Sequence, residues 1–248
     1  MMHTYVIATI LSSGSAWAGL HDVVPAVNIP IPDTFGDAQW LTPITIGGQR
    51  FNVKIDTGSS DLWVYGSDIV PEQLNGHHTY DIQYSPTGRA VTGSSAFLQY
   101  ASDEINGTLV VDEVELGAIK ISNMTVVTAH HVGSRTTKNK PLDGILGLGF
   151  GENEYVSVTP KPKPGTYPLD MIMSLLDQPL LTAALGHSGG SYEFGQIDKS
   201  KFQGEMTYFA INSSQQRWTL QDTVTIEGTE INGVFLGRSI SVTALEKR

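Results

Sequence analysis

Cysteine is absent from the 248 residues, so no disulfide can staple the fold and no thiol chemistry is open to it. Basic residues are scarce. Fifteen Lys and Arg stand against 25 Asp and Glu, for a net charge of −10, which argues against nucleic acid and against an anionic membrane surface as partners. No apolar run reaches the roughly 20 residues needed to cross a bilayer. The paired histidines His77-His78 and His130-His131 do not make a metal site. Neighbours along a strand point to opposite faces, and no further ligand stands at useful spacing, so neither metal nor cofactor is expected. What is present is enough apolar material, 40% of residues, to bury a proper core in one or two domains without staples.

The N-terminus reads as a secretion signal. Thr4 to Leu11 is a short apolar run, and Ala16-Trp17-Ala18 is the kind of small-residue step cleaved before Gly19, although the leading segment holds His3 and no Lys or Arg. A signal peptide over residues 1–18 and an extracellular destination are the expectation, which lack of cysteine does not oppose. Asn106, Asn123 and Asn212 stand in glycosylation acceptor triplets, in keeping with that route. Residues 19–38 form a short lead-in with Pro25, Pro30 and Pro32.

From Trp40 to Thr128, short alternating apolar runs are separated by Gly, Asn, Ser and Pro, which predicts an all-β, mostly antiparallel architecture. Candidate strands are Leu41–Ile46, Phe51–Ile55, Ala96–Tyr100, Thr108–Leu116, Ile119–Ile121 and Thr125–Thr128. One helix is predicted, about Leu169–Leu176, with Met171, Ile172, Leu175 and Leu176 on one face. It follows the proline-rich stretch Thr159 to Pro164, a stiff loop.

The chain is organised around Phe51 to Val64. Phe51, Val53 and Ile55 alternate with Asn52 and Lys54, a strand with one buried face that ends at Asp56. Gly58 is expected to take a turn closed to other residues, and Thr57, Ser59 and Ser60 surround the carboxylate with hydroxyls and backbone N–H groups that hold it ionised. Asp61 and Asp143 read as structural acids that bond loop backbone.

The stretch Asp56-Thr57-Gly58-Ser59-Ser60-Asp61-Leu62-Trp63-Val64 resembles the active-site signature of the pepsin-like aspartic proteases. Trp40 to Gly48 is similar to that family's first strand and hairpin turn. Pro141-Leu142-Asp143-Gly144-Ile145-Leu146-Gly147-Leu148-Gly149 is similar to its second signature, an apolar glycine-bearing strand behind the catalytic loop. Phe194 to Asp198, followed by Gly204, resembles the approach to the link between lobes. The likeness runs roughly over residues 39–225.

The resemblance implies an acid-protease lobe of the double-psi β-barrel type with one or two short helices. It places the N-terminal lobe over residues 39–210 and an incomplete start of the second lobe over 211–248. It implies a secreted endopeptidase that hydrolyses polypeptides at acid pH through a water activated by Asp56, with Thr57, Gly58 and Ser59 supporting the loop. Tyr100 then sits on a flap hairpin, with Gly107 on the return arm, and reaches the indole N–H of Trp63. The flap tip departs from the family's glycines: Ala101-Ser102-Asp103-Glu104 carries two adjacent carboxylates, expected to stiffen it and make it more polar. The lead-in has neither the length nor the lysines of the family's prosegment.

The chemistry implied needs two carboxylates, and one Asp-Thr-Gly occurs in the 248 residues. Asp222-Thr223-Val224 comes nearest to a second, with valine in place of the glycine. Three readings are therefore carried forward: a shortened form of the endopeptidase lacking the rest of its second lobe, a half-enzyme that pairs with a second copy to bring two Asp56 residues together, and a non-catalytic peptide-binding lobe.

Overall fold

The computed structural model describes residues 21–30, 38–100, 103–151, 156–186, 188–201, 218, 224–226 and 229–231. The signal segment, Ala101, Ser102, Asn212, Asp222 and Thr223 lie outside the described residues. The strands in chain order are β1 (Asp22–Pro30), β2 (Ala38–Ile46), β3 (Gln49–Asp56), β4 (Leu62–Tyr65), β5 (Arg89–Ala90), β6 (Ser95–Gln99), β7 (Glu104–Leu116), β8 (Ile119–Val132), β9 (Gly144–Gly147), β10 (Val156–Thr159), β11 (Leu181–Gly186), β12 (Gly189–Phe194), β13 (Val224–Ile226) and β14 (Thr229–Ile231). Three short α-helices accompany them among the described residues: α1 (Pro71–Leu74), α2 (Ser134–Thr137) and α3 (Pro168–Leu175). The chain is all-β and mostly antiparallel.

The alternation in β3 decides its orientation: Phe51, Val53 and Ile55 are buried, while Asn52 is exposed. Its first partner is β2, joined through Gly47 and Gly48, whose φ values of 53° and 82° only glycine adopts cheaply. The other partner is β9, which lies parallel to β3 and antiparallel to β4, with Asp56 opposite Gly147 and Trp63 opposite Ile145. A strand from far along the sequence is thus inserted between two consecutive ones. β4 in turn runs parallel to β8. The loop from Asp56 to Leu62 must therefore climb over the end of β9, and that crossing fixes the site.

The sheet separates two apolar clusters. One gathers Phe51, Val53, Ile55, Leu62, Val64, Leu146 and Leu148 with Leu169, Ile172 and Met173 of α3. The other gathers Trp63, Tyr65, Leu98, Ile105, Val127 and Ile145. The predicted helix is present one residue earlier and opens with Pro168 in its first turn, where the missing N–H costs nothing.

Two differences from the sequence reading have physical causes. Residues 22–30 form β1, whose ends pair with β12 and with β2; Val24 and Ala26 are buried and Val23 and Val27 exposed, a strand period that its prolines obscure. The two short strands expected over 119–128 are one strand, β8, running on to Val132. Asp112 pairs with Met124 and Val114 with Ile121, so β8 carries one extra residue there and forms a bulge at which Asn123 takes φ 60°. Asparagine tolerates that conformation, so the strand bends there instead of ending.

Candidate active site

Asp56 closes β3. Its backbone oxygen accepts from Leu148 N at 2.8 Å. Its carboxylate accepts from Gly58 N at 3.1 Å on Oδ1 and from Ser59 Oγ at 2.9 Å on Oδ2. The hydroxyl and backbone donors expected from the motif are therefore in place at Gly58 and Ser59, and Thr57 stands half-buried in the same loop. Thr57 and Gly58 do form a turn, but Gly58 is not among the residues with positive φ, so the turn does not demand a conformation closed to other residues. What Gly58 contributes is its N–H.

The glycines that the loop does require stand opposite it. Gly147 N donates to Asp61 O at 3.0 Å and Gly149 N to Ser59 O at 2.7 Å. A Cβ on Gly147 would come within 2.5 Å of Asp61 N and 2.7 Å of Ser59 O, and one on Gly149 within 2.9 Å of Ser59 O. Backbone lies against backbone here, and no side chain fits between. Behind them Asp143, fully buried, accepts from Asn52 N at 2.9 Å, His78 N at 2.9 Å and His78 Nδ1 at 3.0 Å, which ties the start of β9 to β3. Trp218 Nε1 donates to Leu148 O at 2.7 Å, and its ring lies 4.3 Å from that of Phe150.

Tyr100 follows β6, whose hairpin with β7 closes through Tyr100 N and Asp103 O at 2.8 Å. Gly107 is on the return arm opposite Ala96, and a Cβ there would come within 2.5 Å of Thr128 O. Burial lifts the Tyr100 phenol well above the ordinary tyrosine range, and the charges of Asp56 and Asp61 lift it further; contacts with Ser59 and Trp63 pull the other way. Tyr100, Asp56, Ser59 and Trp63 are thus gathered at one place. Trp63 is fully buried and its Nε1 finds no acceptor in good hydrogen-bond geometry among the described residues, so its approach to Tyr100 is loose. Its ring sits edge-on to Tyr65, 5.6 Å between centroids, and Tyr65 stacks on buried His77 at 4.2 Å.

The flap carboxylates do not make the cleft face of the hairpin acidic. Asp103 accepts from Thr136 N at 2.5 Å and Arg135 N at 3.4 Å, and Glu104 lies 3.8 Å from His131.

Two residues gain weight that the sequence did not give them. Asp61 is buried, and burial pushes its carboxyl from 3.8 up to about 6. Tyr192 of β12 is also buried, and its phenol is raised by that burial and then by the charge of Asp56. The signal for Tyr192 was its place two residues before Phe194, on the same strand face. No group of three or more His, Asp or Glu placed to hold a metal occurs among the described residues.

A carboxylate at the end of a buried strand, caged by a glycine-bearing strand and facing a hairpin tyrosine, defines an aspartic-protease type of lobe. The sequence profile of the eukaryotic aspartyl protease family matches residues 39–244, and the chain belongs to that family. It is 38% identical over 184 residues to aspergillopepsin-1 of Aspergillus fumigatus, covering 73% of this chain and 45% of that protein. It is 37% identical over 185 residues to penicillopepsin-1 of Penicillium rubens, covering 74% and 45%. With penicillopepsin-1 of Penicillium janthinellum it shares 32% over 222 residues, 89% of this chain and 66% of the relative. The chain spans about half the length of the first two relatives.

Proposed function

We propose that this chain supplies one carboxylate, Asp56, to a secreted pepsin-like endopeptidase that hydrolyses polypeptides at acid pH. The observation that supports this reading most is the fixed Asp56 carboxylate, held by Gly58 N and Ser59 Oγ with Tyr100 beside it.

Peptide hydrolysis by this route needs two facing carboxylates that share one proton, because like charges a few ångström apart cannot both ionise. The ionised one takes a proton from water as the oxygen attacks the peptide carbonyl; the protonated one donates to the carbonyl oxygen. Asp56 fits either role, since Gly58 N and Ser59 Oγ orient its two oxygens separately. Thr57, Gly58 and Ser59 keep the carboxylate from rotating. Tyr100 and Trp63 close the substrate side and restrict water there. The second carboxylate comes from outside the motif of this chain, from further polypeptide or from a second copy bringing its own Asp56. Residues 1–18 serve as the export signal, and no helix among the described residues is long and apolar enough to cross a membrane.

The test is cleavage of a denatured protein at pH 4 with sedimentation measured across a range of protein concentrations. Activity per chain should rise as the protein associates, or when the missing carboxylate is supplied on added polypeptide. Constant activity per chain in a purely monomeric regime would mean that this chain provides both acids itself. Peptide binding with no cleavage under every condition would instead establish the non-catalytic lobe.

A further inference from the structure

The hairpin that carries Tyr100 is fastened at its return arm. Asp103 reaches out of the hairpin to the first turn of α2, where its Oδ2 accepts from Thr136 N at 2.5 Å and its Oδ1 from Arg135 N at 3.4 Å. Those N–H groups have no partner within the helix, and Gly133 before it has no side chain to offer them. Asp103 acts as an N-cap supplied from another element. The next residue adds a second tie, since Gly133 N donates to Glu104 O at 2.9 Å. Contact is so close that a Cβ on Gly133 would come within 2.5 Å of Asp103 Cγ.

The post to which the arm is tied is itself braced. Asn75 Nδ2 donates to Thr137 O at 2.7 Å, and the His77 ring lies 3.0 Å from the same oxygen. Gln73 bonds both the N–H and the C=O of Val132, at 3.0 and 2.6 Å. His77 stacks on Tyr65, which packs against Trp63. One short path therefore joins α2 to the floor of the site, and Asp103 joins α2 to its cover.

We infer that Asp103 is a positioning residue for Tyr100: by capping α2 it pins the return arm of the hairpin and so holds the tyrosine over Asp56. Tyr100 N bonds Asp103 O, and Gln99 Nε2 reaches both the Tyr100 and Asp103 carbonyls, at 2.9 and 3.3 Å. Any displacement of Asp103 is thus passed to Tyr100 directly. That the hairpin covers a bound polypeptide rests on the function proposed above; the tether does not.

The experiment is hydrogen–deuterium exchange on the full chain and on Asp103→Ala, Asp103→Asn and Thr136→Pro, without substrate. Asp103→Ala should speed exchange at Arg135, Thr136 and the paired amides of 98–105 by about tenfold or more, the scale of a lost cap. Asp103→Asn keeps an acceptor and should retain most of the protection. Thr136→Pro removes the donor at the other end and should loosen 98–105 as Asp103→Ala does. The near-ultraviolet circular dichroism change caused by Tyr100→Phe should shrink in the Asp103→Ala background and return with Asp103→Asn. Parent-like exchange over 98–105 in both Asp103→Ala and Thr136→Pro, or a Tyr100→Phe effect that ignores Asp103, would overturn the inference. A tether that passes these tests in a chain that never cleaves peptide would sink the proposed function alone.

Discussion

Replacing Gly147 by alanine adds one methyl group where the backbone of β9 lies against the backbone of the Asp56 loop. The new Cβ would stand 2.5 Å from Asp61 N and 2.7 Å from Ser59 C and O, and none of these is a flexible side-chain end. Either the loop lifts or β9 drops, and both motions stretch the bonds from Gly147 N to Asp61 O and from Gly149 N to Ser59 O. Overpacking of this kind costs roughly 1–3 kcal/mol, and two weakened backbone bonds add roughly 1 kcal/mol each. The sum is about 4 kcal/mol, which for a chain of this size lowers the melting temperature by about 8–16 °C. Gly165→Ala is the control: its surroundings are open and only its φ of 81° opposes the change, a cost of about 1–2 kcal/mol. The assay is thermal melting followed by near-ultraviolet circular dichroism. A Gly147→Ala protein that melts with the parent would refute the backbone-on-backbone contact and, with it, the account of how the Asp56 loop is held.

Other outcomes follow from single residues. Burial raises Asp61 from 3.8 to about 6, so the folded protein keeps this proton longer than the unfolded chain, and stability falls as pH rises from about 4 to about 6, by about 3 kcal/mol in all. Asp61→Asn should flatten that decline in denaturant titrations at pH 4 and pH 7; an unchanged slope would place the titration elsewhere. Asp143→Ala strands the N–H groups of Asn52 and His78 that the carboxylate satisfies and should destabilise by about 3 kcal/mol, read as a shift in denaturant midpoint; a shift below about 1 kcal/mol would contradict the anchoring role. Protein exported from a eukaryotic host should begin at Gly19 by N-terminal sequencing, and a retained Met1 on exported material would end the signal-peptide reading.

Much of the fold was legible because its governing signals are local. Phe51, Val53 and Ile55 announce a half-buried strand, and Ile145, Leu146 and Leu148 with their glycines announce the strand behind the loop. The candidate site followed from Asp56, Ser59 and the position of Tyr100 on a hairpin arm. What stayed hidden depends on partners distant in sequence. β1 is a strand because β12 and β2 flank it, and its prolines conceal that locally. β8 bends at Asn123 because β7 offers one residue fewer there. The expected turn at Gly58 is present but without a positive φ, and the glycines whose missing side chains the loop requires are Gly147, at the end of β9, and Gly149 just beyond it. The acidic residues of the hairpin were visible, but their direction was not: only the position of α2 shows that Asp103 is a cap.

The most direct test of the account is the rate at which the associated protein cleaves a denatured polypeptide at pH 4, compared between the parent chain and Asp56→Asn. The asparagine keeps the size of the side chain and an oxygen for Gly58 N, so the melting temperature should move by no more than a few degrees. Removing one member of a catalytic pair that acts as a unit should lower the rate by a factor of a thousand or more. A variant that folds and cleaves as fast as the parent would contradict the assignment of Asp56 as the reacting carboxylate.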